Sequence, residues 1–539
     1  MVNGSTLWEA HVSLQMEKKV YYEISYESYT GLQKNLYLAL TDSVQRERER
    51  VCIVDDSGAG ITYGAFLELV DSFADYLQYD AGIRKGDHVA LLLHSSKEFA
   101  VAFLALVKLA AVTLPLPSKF REQEVLSLLE KSDAKVILCE KQYAGWMRPE
   151  RLAGTRVLLC DSQKGGYGFA PLLAAQHLFG PPAVCETEPE DPAILMFTSG
   201  TTSLSKGVVL TYFNVMSSVE TYRRLLHITP EDRTVIAVPI YHVTGMIALL
   251  ALFLYTGGTV YLHRVFSARR VLQCIRDERI TFMHASPTVY SLLMVEKEEF
   301  PALPSLRLVL CGSSYMPSEK ILAMHAWLPN AEFRTVYGMT ETASPATLFP
   351  CDTALSPYIT AAGLPVPGTC FRIVDDDGHE LPDGAVGEVQ IRGNVILHEY
   401  YRLKTPLLSD DGWLSTGDLG YFNGEGYLFL KGRKKDMINR GGEKICSRDV
   451  EAELFRLPGV VDAAVIGIPD ALYGEVAAAV IQKSPGAKLT QQSIQEALRD
   501  RLAKYKIPAR ILFAPAIPVT PNGKVDKRML WCMFEAEPD

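Results

Sequence analysis

AILMFTSGTTSLSKGVVLT, residues 193–211, is the stretch on which the reading of the chain turns. The apolar run 193–197 predicts a buried strand, and a second apolar run, 208–210, predicts another. Between them residues 198–205 are rich in hydroxyls and carry no charge, and Lys206 and Gly207 close the loop. Gly200 and Gly207 permit backbone shapes that other residues resist. Backbone N–H groups, hydroxyls and one ammonium suit a polyphosphate. The same composition fits a solvent-exposed Ser/Thr turn between two strands. In the Gly-x-x-x-x-Gly-Lys-Ser/Thr phosphate loop the Lys follows a glycine and leads into a helix. Here Lys206 precedes Gly207 and a strand follows, which disfavours that fold but not a nucleotide.

Outward from this loop the pattern is α/β. A strand at 51–54, a helix at 64–79, a strand from His88, a helix at 97–111 and a strand at 112–116 precede it, with buried strands at 136–138 and 157–159. A further helix is expected around residues 31–40. Such alternation predicts a parallel sheet with crossover helices. After the loop come a helix at 214–226 and strands at 235–239, 259–262, 282–285, 308–311 and 334–336. Residues 387–392 and 426–430 predict an antiparallel β subdomain, with Ser415-Thr416-Gly417-Asp418 in the connection between them. From Asp436 the pattern becomes a small α+β unit. Ser447 or Asp449 is expected to cap a helix, strands fall at 463–467 and 477–481, and a helix spans 491–503.

With 539 residues the chain is long enough for more than one domain. Apolar residues make up 48% and charged ones 22%, an ordinary globular balance. A net charge of −9 leaves no broad basic surface and excludes nucleic acid as the expected partner. The ten cysteines include no Cys-x-x-Cys pair, which argues against a zinc ribbon or disulfide framework and fits a reducing, cytoplasmic setting. No basic start followed by an apolar core opens the chain, so no secretory leader is expected. The most apolar stretch, 246–255, is too short for a transmembrane segment.

Four further elements carry candidate chemistry. Tyr241, His242 and Gly245 follow a strand end and precede an apolar helix, where α/β folds bind ligands. A structural His at a helix start reads equally well. In Tyr337-Gly338-Met339-Thr340-Glu341 a tyrosine can stack on a purine and Gly338 admits a close approach. Thr340 can reach a phosphate, and Glu341 offers a hard oxygen ligand for Mg²⁺. Taken alone, that Glu is a solvated carboxylate. Asp418 can accept two hydrogen bonds from the vicinal hydroxyls of a ribose. The turn Pro521-Asn522-Gly523 projects Lys524, otherwise an exposed surface lysine. The run KGRKKD at 431–436 is by composition a solvated basic turn or a localisation-like run.

In order and spacing these elements resemble the adenylate-forming superfamily of acyl-CoA synthetases, luciferases and peptide-synthetase adenylation domains. The loop keeps Thr198, Ser199, Gly200, Thr201, Thr202 and Lys206 of that signature, with Ser203 and Ser205 where the family has Gly and Pro. Ala110 likewise stands in place of a frequent glycine. The resemblance implies a large N-terminal domain, 1–434, of α/β sheets plus a β subdomain, and a small mobile α+β C-terminal domain, 435–539. It implies that the turn Gly312-Ser313-Ser314 packs on adenine, and that Arg433 reaches ribose and phosphate. Tyr241, His242 and Gly245 would lie near the acyl pocket. Lys435 would be the hinge, and Gly441, Gly442 and Glu443 the loop facing the site when a thioester is made. Lys524 would be the adenylation lysine, acting with Glu341, Lys206 and Thr340.

The activity so implied is AMP-forming acid–CoA ligation, with ATP, Mg²⁺ and CoA and a small carboxylic acid as partners; a homodimer is compatible. Residues 241–252, 285–290 and 311–315 are largely apolar, which suits a fatty or aromatic acid. An amino-acid activator would place an Asp where His242 stands. A stand-alone enzyme loading a carrier protein uses the same residues, and a luciferase-like oxidation shares the adenylation step. A catalytically silent nucleotide-binding scaffold is disfavoured by the joint retention of Glu341, Asp418, Arg433 and Lys524.

Overall fold

A computed structural model describes the chain except for residues 10, 13, 153, 161–184, 199–204, 521–524 and 537–539. Pro192–Thr198 and Lys206–Thr211 form an antiparallel hairpin in which Thr198 pairs with Lys206 and Phe197 with Gly207. The hairpin belongs to a seven-stranded sheet. Beyond it Val112–Pro115, His88–Leu92, Val136–Glu140 and Arg156–Cys160 follow in parallel. On its other side lies the antiparallel edge strand Glu399–Tyr400. The strands expected in parallel from His88, at 112–116, 136–138 and 157–159 are so arranged, and the hairpin and the edge strand add antiparallel pairs that make this sheet mixed. The connection after Thr198 is too short for the crossover helix that a parallel pair requires.

A second, nine-stranded sheet contains Glu332–Tyr337, Leu308–Cys311, Phe282–Ala285, Arg233–Ile236, Thr259–Leu262 and Val51–Val54 in parallel, with short antiparallel strands at both edges. One apolar cluster joins inward residues of both sheets, such as Leu91 and Ile194 from the first and Phe282 and Leu310 from the second. The helices between them are buried nearly all round. Residues Glu98 to Lys108 of helix Lys97–Lys108 are all buried, and the ammonium of Lys108 pairs with Asp71 at 2.7 Å. The helix expected at 31–40 forms instead at Leu36–Glu47, because the Asn35 side chain accepts the Leu38 N–H and fixes the start there. Ala110, in its family glycine's place, closes the helix 97–108 in the left-handed region at φ +53. Such a conformation costs an L-residue about 1–2 kcal/mol.

The two sheets are also clamped by a buried carboxylate. Glu140, at the end of Val136–Glu140, accepts from Arg264 Nη1 at 2.9 Å, from Gln142 at 2.7 Å and from the His94 N–H at 3.0 Å. Arg264 follows the strand Thr259–Leu262 of the other sheet. Burial alone would raise the Glu140 carboxyl, but His94 and Arg264 outweigh it and hold it at about 2, below the ordinary 4.5. Because the folded value is depressed, this contribution is complete above pH 4.5 and is lost as pH falls toward 2. Glu140→Ala leaves Arg264 facing an empty buried site, and the expected loss is about 3–5 kcal/mol. Urea denaturation near neutral pH checks this. The difference between parent and variant should narrow as pH falls below 4.

The β subdomain is a five-stranded sheet of Val2–Asn3, Thr369–Val374, Gly387–Gly393, Leu414–Phe422 and Leu428–Arg433. Ser415 to Asp418 lie within its fourth strand, not in a connection. Gly417 at φ +71 breaks the ladder there, so the chain resembles a loop in sequence while staying in the sheet. The last sheet draws only on strands between Ile438 and Phe513. Its helix Ser447–Phe455 has Cys446 at the capping position, so neither Ser447 nor Asp449 caps it as expected; both lie in its first turn. The helix expected at 491–503 ends at Leu498. Among the described residues no helix is long and apolar enough to cross a membrane.

Candidate active site

Two sheets meet around one carboxylate. Asp418 is 4% exposed. Its Oδ1 lies 2.7 Å from Arg433 Nε, the residue opposite it on the next strand, and its Oδ2 accepts from the Tyr337 hydroxyl at 2.7 Å. Tyr337 ends the strand Glu332–Tyr337, so this hydrogen bond ties the nine-stranded sheet to the β subdomain. Burial first, and the Asp418 charge second, push the Tyr337 phenol well above its usual value, which keeps it a donor. Arg433 also donates to Thr416 O at 3.4 Å. Each Asp418 oxygen retains a lone pair, the arrangement that vicinal hydroxyls need.

A second carboxylate, Glu341, stands in the turn Thr340–Thr342 that follows Tyr337. The Tyr400 hydroxyl donates to its Oε1 at 3.2 Å, and Lys206 Nζ sits 5.4 Å from the centre of the same ring. Burial and then the Glu341 charge raise the Tyr400 phenol, so it too remains protonated. The backbone is locked around this contact. Leu397 N–H donates to Glu341 O at 2.8 Å, and Tyr401 N–H to Gly207 O at 2.7 Å. Asn214 in helix Tyr212–Leu225 donates to Asn394 O and Ile396 O at 3.0 and 2.9 Å. A Cβ on Gly207 would lie 3.0 Å from the Leu195 and Tyr401 side chains, so a larger residue beside Lys206 would force its neighbours to shift by a few tenths of an ångström. Tyr400, Tyr401 and Asn214 escape sequence reasoning. The pair of adjacent tyrosines at 400–401 is their only local signal.

The turn at the end of Leu308–Cys311 places Gly312 buried and Ser313 and Ser314 exposed, with Ser313 at φ +70. A Cβ on Gly312 would stand 3.0 Å from Val336 O. Gly338 is similarly confined by Thr342 Oγ1. Tyr241 is buried, its ring 4.7 Å from that of His242, and Met246 N–H donates to His242 O at 2.8 Å. A Cβ on Gly245 would meet Pro239 O at 2.4 Å, so the chain can fold back here only with glycine.

Lys435 is exposed in the short turn Lys434–Asp436, between the β subdomain and the last sheet. Gly441 and Gly442, at φ +56 and +93, make the two-residue turn of the hairpin Ile438–Arg440 and Glu443–Ile445, and Glu443 is exposed beside them. The C-terminal unit touches the larger one through Arg456–Glu319 at 3.3 Å, Lys431–Asp449 at 3.7 Å and Lys320–Asp462 at 3.8 Å, with Lys320 over Phe455 at 5.1 Å, Arg448 over Tyr315 at 5.6 Å and Cys446 Sγ against Lys431 O. Exposed pairs of this kind contribute about 0–1 kcal/mol. Thr198 ends its strand and is described; Ser199, Gly200, Thr201, Thr202 and Lys524 lie outside the described residues.

The described part of the site thus holds a tyrosine-bound Asp418 and a Glu341 that shares Tyr400 with Lys206, and comparisons with known proteins show the family. The profile of the AMP-binding enzyme family matches residues 40–401, and that of the AMP-binding enzyme C-terminal domain matches 449–524. The chain belongs to the AMP-binding enzyme family. It is 32% identical over 498 residues to the medium-chain fatty-acid–CoA ligase of Escherichia coli K12, covering 89% of this chain and 87% of that one. It is 32% identical over 480 residues to a long-chain-fatty-acid–CoA ligase of Mycobacterium tuberculosis, covering 88% and 93%. The crystal structure of ATP-bound MatB from Rhodopseudomonas palustris superposes with a TM-score of 0.85 at 28% identity, covering 93% of this chain and 99% of that one.

Proposed function

We propose that this protein is an AMP-forming acid–CoA ligase acting on a fatty or aromatic acid. The observation that carries the reading is the Tyr337–Asp418–Arg433 cluster set beside Glu341 and Lys206. The N-terminal domain ends at 434 and the C-terminal domain runs from 435 to 539.

Two anions must meet in the first step. A carboxylate oxygen of the acid bonds to the α-phosphorus of ATP, and the bond from that phosphorus to pyrophosphate breaks, its electron pair leaving with pyrophosphate. Asp418 takes the ribose hydroxyls, and Tyr337 and the Gly312–Ser314 turn flank the base, so that attack is in line. Lys206, Thr340 and the hydroxyls of Thr198, Ser199, Thr201 and Thr202, with the N–H of Gly200, receive the phosphates. Lys524 bridges the carboxylate and the α-phosphate, where negative charge builds. Glu341 would hold Mg²⁺: a half-buried carboxylate fits an ion that takes one or two carboxylates along with substrate phosphates. When bound, that ion neutralises charge on the departing pyrophosphate.

In the second step the CoA thiol loses its proton, its sulfur bonds to the acyl carbon, and the bond to AMP breaks with the pair leaving on AMP. Lys524 has no part in this step. Rotation about Lys435 withdraws it and brings Gly441, Gly442 and Glu443 to the site. The setting is the cytoplasm. Acid-dependent exchange of labelled pyrophosphate into ATP tests the reading. Exchange with a fatty or aromatic acid supports it, and exchange with no acid across both classes contradicts it.

A further inference from the structure

The tip of an N-terminal hairpin touches both segments that frame the phosphate side of the site. Met16–Tyr21 and Ile24–Tyr29 form a two-stranded sheet of their own. Tyr22 and Glu23 make its two-residue turn at φ +49 and +65, a left-handed conformation that glycine and asparagine adopt more readily. Tyr22 is 39% exposed, so core packing does not account for a tyrosine at this place. Its contacts account for it better. The ring lies flat on the His398 imidazole, with centroids 3.4 Å and planes 4° apart, and the hydroxyl donates to Glu190 O at 2.6 Å. Burial first, and then the Glu190 and Glu399 charges, raise the phenol and keep it a donor. Burial lowers the His398 imidazole, which therefore stacks as a neutral ring.

Both partners of Tyr22 adjoin residues of the site. Leu397, just before His398, donates its N–H to Glu341 O at 2.8 Å, and the Tyr400 hydroxyl, two residues after it, donates to Glu341 Oε1 at 3.2 Å. Glu190 stands two residues before Pro192–Thr198, the strand whose Thr198 pairs with Lys206. The hairpin is itself anchored by Tyr21, whose ring lies 4.0 Å from that of Phe213, in the helix whose Asn214 bonds Asn394 and Ile396. We propose that Tyr22 is a positioning residue for the nucleotide. By clamping His398 to Glu190 it holds the segment 397–400, and through it the Glu341 carboxylate, in a fixed place beside Lys206 before ATP arrives. It acts through the backbone of that segment and not by contact with substrate. The inference rests on the acid–CoA ligase reading above.

Acid-dependent pyrophosphate exchange by the full chain is measured at varied ATP, with Mg²⁺ in excess, in the parent and in Tyr22→Leu, Tyr22→Phe, His398→Ala and His398→Phe. Deuterium uptake of the segment 394–401 is followed in the same proteins without ligands. Tyr22→Leu and His398→Ala are expected to raise KM for ATP by about two- to tenfold, the range of a stacked aromatic pair. The maximal rate and KM for the acid should stay within about twofold, and the segment should exchange faster. His398→Phe keeps a ring against Tyr22 and should behave as the parent. Tyr22→Phe keeps the stack but loses the bond to Glu190 O, so it should fall between the parent and Tyr22→Leu. Joining Tyr22→Leu to His398→Ala should add little to either alone. A parallel rise in KM for the acid with a fall in maximal rate would mean general loosening and overturn the proposal. So would an unchanged KM for ATP in Tyr22→Leu and His398→Ala, which leaves the ligase reading standing. Should Tyr22→Leu fail to fold, the contrast of His398→Ala with His398→Phe decides alone. No acid-dependent exchange by the parent overturns both readings.

Discussion

Asp418→Ala is expected to lower kcat/KM for ATP in the adenylation half-reaction by about 10²–10⁴-fold. The carboxylate offers two charge-assisted hydrogen bonds to the ribose, each worth about 1.5–3 kcal/mol, and about 1.4 kcal/mol corresponds to tenfold. The variant also releases Arg433 Nε and the Tyr337 hydroxyl from their shared partner. The loss should appear largely in KM for ATP, since the nucleoside is held before and during attack. Stability should change less. The Arg433 side chain is 38% exposed and can be taken over by water, while the buried Tyr337 hydroxyl loses its acceptor, so the expected cost is about 1–3 kcal/mol. Pyrophosphate exchange at varied ATP, alongside a melting curve, separates the two effects. An unchanged KM for ATP would remove Asp418 from the nucleotide site.

Lys524→Ala is the second large effect, and it divides the reaction. The lysine is asked to stabilise charge only while the carboxylate attacks phosphorus, and loss of one such preorganised donor costs about 10²–10³-fold. Acid-dependent pyrophosphate exchange should fall by that factor. Thioester formation from presynthesised acyl-AMP and CoA should persist near the parent rate, because rotation about Lys435 has withdrawn Lys524 before the thiol attacks. A parallel fall in both half-reactions would show that Lys524 does not have the assigned role. The melting temperature should be unchanged in either case.

Much of this site was legible in sequence because its parts are short and contiguous. Tyr337 to Glu341 and Ser415 to Asp418 each gather their chemistry within five residues, and the structure brings Tyr337 and Asp418 to 2.7 Å. The partners that hold them were not legible. Tyr400 reaches Glu341 from 59 positions away, and Asn214 reaches Asn394 from 180 away. No local pattern distinguishes such a Tyr or Asn from any other, since β pairing and helix packing bring them together. Element boundaries failed where a single side chain or φ value decided them. Asn35 started a helix later than its apolar pattern suggests, and Gly417 gave a strand the composition of a loop. The parallel pairing of the strands between His88 and Cys160 was legible from their alternation, and the antiparallel pair at Thr198 and Lys206 goes with a loop too short for a crossover.

The account's central claim is tested most directly by incubating the purified chain with ATP, Mg²⁺, CoA and one activating acid, then measuring acyl-CoA, AMP and pyrophosphate together. The account predicts one equivalent of each per turnover, with AMP release rising steeply on addition of CoA. ADP and inorganic phosphate in place of AMP and pyrophosphate, or acid-dependent AMP with no acyl-CoA, would contradict it.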